Sequence, residues 1–155
     1  MIQLAKETGI RLMQLSCPAF ANNEFIPVKY TCDGINQSPP LEIEGIPENA
    51  KSFAIIVEDP DAPINTWVHW LIWNIPVTHH IKENSARGSQ GMNDFGRRFY
   101  CGPCPISGTH HYIFKIYALD TILNLPINTK KIELERAMSV HILAFGQLTG
   151  LYKKK

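Results

Sequence analysis

The sequence predicts an all-β fold, a β-sandwich carrying one late short helix. Three observations lead there. Apolar runs of strand length recur along the chain, clusters of Gly, Pro, Asn and Asp separate them, and a helical pattern emerges only near residue 130. The 155 residues, 45% hydrophobic and 19% charged, suit a single domain over 1–155 with a full-sized core.

Residues 10–15 alternate as a first strand, which the loop signal Ser16-Cys17-Pro18 ends. Residues 22–40 are rich in Asn and Pro and read as loop, broken by a short strand around 28–30. Residues 41–44 alternate cleanly, which predicts a half-buried strand closed by Gly45 and Pro47. The run 52–57 reads as a buried strand whose period of two places Phe53, Ile55, Val57 and then Asp59 on one face. Pro60 and Pro63 cannot donate to a ladder and mark a stiff crossing to the next strand, 67–75. There strict alternation puts Trp67, His69, Leu71, Trp73 and Ile75 on one face, and Val68, Trp70, Ile72 and Asn74 on the other. With both faces apolar, this strand needs cover on both sides.

His79 and His80 are expected on an exposed turn, and residues 84–93 form a polar surface loop. A Gly/Pro loop over 101–108 then feeds a strand with His110, Tyr112, Phe114, Ile116 and Ala118 on one face. Asn128-Thr129 resembles an N-cap before a helix over 130–140, with Ile132, Ala137, Val140 and Leu134 as its apolar stripe. Residues 141–152 contain Gly146 and Gly150 and are read as a last strand rather than a continued helix.

Polar residues sit at the ends of the apolar rows. Asp59 closes one, and His69 and His110 stand near the start of two others, so the three can meet at one rim of the sandwich core. A carboxylate there orients an imidazole and favours its cationic form, giving a donor for an anion, while glycine-bearing loops offer backbone N–H groups.

Other chemistries find less support. A net charge of +1 and a pI near 7.7 supply no field for nucleic acid, and Lys153-Lys154-Lys155 reads as a solvated tail. No run reaches the roughly 18 apolar residues of a membrane span, which suggests a soluble, cytoplasmic protein. Four cysteines are too few for a disulfide scaffold, so free thiols are expected. Cys101-Gly102-Pro103-Cys104 has thioredoxin-like spacing but precedes a strand, without the helix N-terminus that such chemistry needs. Cys101 and Cys104 with His110 or His111 leave a zinc site short of four ligands, and neither a metal nor a cofactor is expected. No Gly-x-Ser-x-Gly elbow occurs, and Ser107 lies in a loop; an enzyme that uses His/Asp acid-base chemistry on a phosphorylated small molecule is the alternative to a binding module.

Three ordered blocks resemble the phosphatidylethanolamine-binding protein, or Raf kinase inhibitor-like, family and its bacterial branch in particular. They are Tyr30-Thr31-Cys32-Asp33-Gly34 with Ser38-Pro39-Pro40-Leu41, Asp59-Pro60-Asp61-Ala62-Pro63 with Trp67-Val68-His69-Trp70, and Gly102-Pro103-Cys104-Pro105 with Gly108-Thr109-His110-His111-Tyr112. Ile43, Ile106 and His111 depart from the bacterial pattern, and none removes a pocket residue. The resemblance implies a Greek-key sandwich with an anion pocket for phosphate-type head groups at one end. By position it implies Asp59, His69, His110 and Tyr112 as pocket residues, with Asp61, Gly102 and Pro103 in the wall. It further implies modulation of a partner kinase or protease, and homodimers among bacterial relatives.

Overall fold

The computed structural model describes residues 9–155; residues 1–8, which the single-domain expectation includes, lie outside that range. Ten strands and one α-helix follow in order: β1 Arg11–Leu12, β2 Gln14–Ser16, β3 Glu24–Phe25, β4 Leu41–Glu44, β5 Ser52–Asp59, β6 Trp67–Ile75, β7 His80–Ile81, β8 Ser89–Gln90, β9 Thr109–Leu119, α1 Lys131–Met138 and β10 Ile142–Lys153. They build a seven-stranded sheet in the order β1-β10-β9-β5-β6-β8, with β3 also beside β10, and a three-stranded sheet β2-β4-β7. After the β5–β6 hairpin the chain returns to lay β9 on the far side of β5, the Greek-key step that the family resemblance implies.

The first predicted strand is divided between the two sheets. β1 runs parallel to β10, whereas β2 pairs antiparallel with β4, and Met13 between them bonds through its N–H to the Phe145 carbonyl at 2.7 Å. One short segment thus stitches the layers together, with the Met13 side chain buried among the core residues. Residues 28–30 are a 3-10 helix rather than a strand. The N–H groups of Tyr30 and Thr31 turn back to the carbonyls of Pro27 and Val28 at 3.0 Å, and so find their partners locally instead of in a ladder.

Two apolar layers result. Phe53, Ile55, Val57, Phe114, Ile116 and Leu148 pack inward against Leu15, Leu41 and Ile43 of the smaller sheet. Ala54, Ile56, Leu71 and Trp73 face the other way, under Leu134 and Met138 of α1. The two-sided apolar pattern of β5 and β6 is therefore satisfied within the chain. The expected helix stripe is right at Leu134, which faces the sheet, and at Ala137, packed beside it, but Met138 completes the face in place of Ile132 and Val140, which are exposed. Thr129 does not cap the helix; its hydroxyl donates to the Pro126 carbonyl at 2.6 Å. The last segment is a strand, paired antiparallel with β9 from Ile142↔Leu119 to Lys153↔Thr109. Its glycines permit close approach, since a Cβ at Gly146 would lie 2.7 Å from the Met13 carbonyl oxygen.

Candidate functional site

A local irregularity places His69. Along the β5–β6 ladder Val57 pairs with Trp70 but Glu58 pairs with Val68, so His69 is an extra residue on β6. Such a bulge re-aims the side chain beside it. Strict alternation would put His69 with Leu71 and Trp73 under the helix; instead its ring meets Tyr112 edge-on at 5.3 Å on the inter-sheet face. Asp59 continues the Phe53-Ile55-Val57 row, and His110 and Tyr112 continue the Phe114-Ile116 row of β9.

These four residues line one cleft of about 250 Å³ at the end of the sandwich. Asp59 and His110 are the coupled pair in it, with Oδ2 and Nδ1 2.6 Å apart and side-chain exposures of 6% and 14%. An ionised carboxylate only accepts, so Nδ1 carries the hydrogen and Nε2 is the ring nitrogen left for a ligand. The second Asp59 oxygen accepts the Asp61 N–H at 2.8 Å, which fixes the carboxylate across the turn. His69 Nδ1–H likewise donates to the Cys101 carbonyl at 2.6 Å, leaving its own Nε2 free. Burial pushes the His69 pKa down, despite the Cys101 carbonyl and the Asp59 charge, so this ring favours the neutral form. The Tyr112 hydroxyl is buried and makes no hydrogen bond of ordinary geometry among the described residues, with the Cys104 backbone and the Asp59 carboxylate as polar neighbours. Burial first, and then the Asp59 charge, hold the phenol far above its ordinary range and keep it protonated.

The remaining walls are Ala62, Pro63, Trp67, Phe95, Cys104, Pro105 and Ile106. Among the described residues neither Lys nor Arg lines the cleft, so the cationic charge they can offer a ligand there is an imidazole. Phe95 packs edge-on against both His69 at 5.1 Å and Trp67 at 5.6 Å. Asn93 sets that contact. Although expected on a surface loop, Asn93 is buried; it donates to the carbonyls of His69 and Phe99 and accepts the N–H groups of Phe95 and Arg97, all at 3.0 Å. An Asn three residues before Gly96 is a turn signal, but nothing in the sequence ties that turn to His69.

Asp61, Gly102 and Pro103, implied as wall residues, do not line the cleft. Asp61 faces outward and accepts both the His111 N–H at 2.8 Å and its Nδ1 at 2.6 Å, and the His111 ring holds its carboxyl below the usual range. Gly102 supports the wall from behind: its N–H donates to Asn36 Oδ1 at 2.7 Å, and a Cβ there would fall 2.2 Å from the Tyr30 carbonyl oxygen. The Pro103 carbonyl accepts the Cys32 N–H at 3.1 Å. The expectation of four free thiols is also corrected, because Cys32 and Cys104 form a disulfide while Cys17 and Cys101 are free. With the sulfur of Cys104 committed to that bond, neither the Cys-x-x-Cys redox pair nor the zinc set can form as written. Burial pushes the Cys101 thiol up, away from the thiolate that either chemistry needs.

Residues 16–153 match the family model described as phosphatidylethanolamine-binding protein. The chain is 54% identical over 147 residues to a UPF0098 protein of Pyrococcus abyssi, covering 88% of this chain and 83% of that one. It is 45% identical over 150 residues to a UPF0098 protein of Methanothermobacter thermautotrophicus, covering 92% and 99%. Among solved structures, a putative phosphatidylethanolamine-binding protein homolog of Chlamydia trachomatis superposes with a TM-score of 0.89 at 39% identity, covering 94% of this chain and 99% of that one. YbcL of Escherichia coli, described as a new member of the mammalian family, gives 0.84 at 31%, covering 92% and 99%. By the extent of the match, by identity and by fold, this chain belongs to the phosphatidylethanolamine-binding protein family.

Proposed function

We propose that the cleft is a small-anion site, accepting phosphate-type or phosphorylated head groups, and that the protein is a binding module. The observation that carries this is the Asp59–His110 pair: with Nδ1 held by the carboxylate at 2.6 Å, a protonated His110 presents Nε2–H to a ligand in a cleft that no Lys or Arg lines among the described residues. The orphan Tyr112 hydroxyl supplies a second donor, and the neutral His69 an acceptor for a ligand hydroxyl. The apolar walls favour a ligand whose charged group is small. Modulation of a partner kinase or protease and a homodimeric state are further parts of this proposal; light scattering checks the second. A cytoplasmic location has to accommodate the Cys32–Cys104 disulfide, since such bonds are rare in reducing compartments outside hyperthermophiles.

Sulfate is the probe of choice, because phosphate changes its own charge near pH 6. Imidazoles titrate between about pH 5 and 8, so sulfate affinity measured by calorimetry is expected to rise as pH falls from about 8 to about 5.5. His110→Ala and Asp59→Asn are expected to flatten that rise. A pH-independent affinity would assign the anion to backbone donors instead. Turnover of a phosphomonoester panel, lost in His110→Ala, would favour the acid-base enzyme.

A further inference from the structure

A second cavity, of about 340 Å³, opens between β6 and β7 and shares no lining residue with the anion cleft. Its floor is apolar: Trp70, Ile72 and Ile75 of β6 and Ile81 of β7 are all buried. Its rim is cationic, with exposed Lys82 directly after β7 and exposed Arg87 just before β8, and among the described residues no Asp or Glu lines it. Neither cation enters an ion pair among the described residues. The neighbouring acid, Glu83, is turned away and engaged by Lys29, Tyr30 and Gln37. His80, also on the rim, faces Glu42 at 3.9 Å.

The wall that carries Arg87 is anchored at both ends. At one end the Asn84 N–H donates to the Ser38 carbonyl at 3.0 Å. At the other, β8 pairs with Ile72 and Trp73, and Trp70 Nε1–H donates to Gln90 Oε1 at 2.7 Å. Gly88 lies so flat on β6 that a Cβ would fall 2.4 Å from the Trp73 carbonyl oxygen. The cavity is therefore built into the fold, concave and apolar within, with uncompensated positive charge at one edge. Its size reaches the lower end of the range for small-molecule pockets, about 300 Å³ and upward.

We propose that this cavity binds small apolar acids, with the carboxylate at Lys82 and Arg87 and the aliphatic or aromatic body against Ile72, Ile75 and Trp70. An anionic head without a body would leave the floor unused, and a neutral body would leave the two cations without a partner. This pairing of a greasy floor with an acid-free cationic rim selects the amphiphilic anion over either part alone.

Octanoate, butyrate and 1-octanol distinguish the terms when titrated at low ionic strength, with the isoleucine methyl signals of the intact chain followed by NMR. Octanoate is expected to bind saturably, shifting Ile72, Ile75 and Ile81 while sparing Ile64 and Ile106. Its affinity should exceed that of butyrate by on the order of a hundredfold, since four buried methylenes are lost. The double substitution K82Q/R87Q changes only exposed side chains and should weaken octanoate by about tenfold while leaving 1-octanol unchanged. His110→Ala should leave octanoate binding intact, which separates this site from the anion cleft. Octanoate shifts confined to Ile106 and lost in His110→Ala, an affinity unmoved by K82Q/R87Q, or no saturable binding would each overturn the proposal.

Discussion

Replacing Tyr112 by Phe is expected to stabilise the protein and weaken anion binding at the same time. Tyr112 is 1% exposed, and its hydroxyl is buried without a hydrogen-bond partner of ordinary geometry among the described residues. Burial first and then the Asp59 charge raise the phenol pKa, and both Asp59 oxygens are engaged, one by His110 and one by the Asp61 N–H. A buried polar group without a partner costs about 1–3 kcal/mol. Removing the oxygen leaves a small void, so the net gain should be about 1 kcal/mol, or roughly 2–4 °C in Tm for a chain of this size. In the bound state the hydroxyl is expected to donate to the anion, and a hydrogen bond to a charged group contributes about 1.5–3 kcal/mol. Sulfate affinity should therefore fall by about ten- to a hundredfold. Thermal unfolding in sulfate-free buffer and calorimetry with sulfate read the two effects separately. A variant destabilised by more than about 1 kcal/mol would mean that the hydroxyl is satisfied in the free protein, and an unchanged affinity would mean that it does not reach the ligand.

Three further outcomes follow from the geometry around the site. On the face opposite Asp59, Glu58 is buried between Lys115 at 2.9 Å and Lys131 at 3.1 Å, which ties α1 to the sheet. Burial alone would raise the Glu58 carboxyl, but the two ammonium groups outweigh it and hold it below its ordinary range. Its stabilisation is thus complete above the unfolded pKa of about 4.5 and is lost as pH falls through the lower folded value; Glu58→Gln should cost about 1–2 kcal/mol at pH 7 and remove that acid-labile part in urea melts. The Cys32–Cys104 disulfide closes a separation of 72 residues, so Cys104→Ser should lose about 4 kcal/mol by loop entropy while sulfate affinity of the folded protein stays within a few fold. Cys101→Ser, in contrast, should leave Tm unchanged; equal losses in both variants would mean that the pairing is different. Asn93→Ala removes five side-chain hydrogen bonds, the weakest of them to Cys101 Sγ at 3.4 Å, from the loop that seats Phe95 on His69 and should cost about 2–4 kcal/mol, with faster amide exchange at Phe95 and Arg97.

The sequence by itself determined the strands that hold the site, because each buries a row of side chains with period two. The rows Phe53-Ile55-Val57-Asp59 and His110-Tyr112-Phe114-Ile116-Ala118 lie as alternation dictates, and Gly146 and Gly150 fit a close-packed strand. Period two also determined that β6 needs cover on both faces. It could not place His69, because a bulge inserts one residue and shifts the remaining phase, and the bulge depends on how β5 and β6 meet. The division of the first strand between two sheets, the helix stripe over Leu134 and Met138, and the partner of Cys104 were likewise decided by tertiary packing. Each is a pairing between segments distant in the chain, and local pattern carries no record of which distant segment will be near. The same holds for the Asp59–His110 pair, 51 residues apart: the sequence brought each to the end of its own row, and only the antiparallel register of β5 with β9 brought the two ends together.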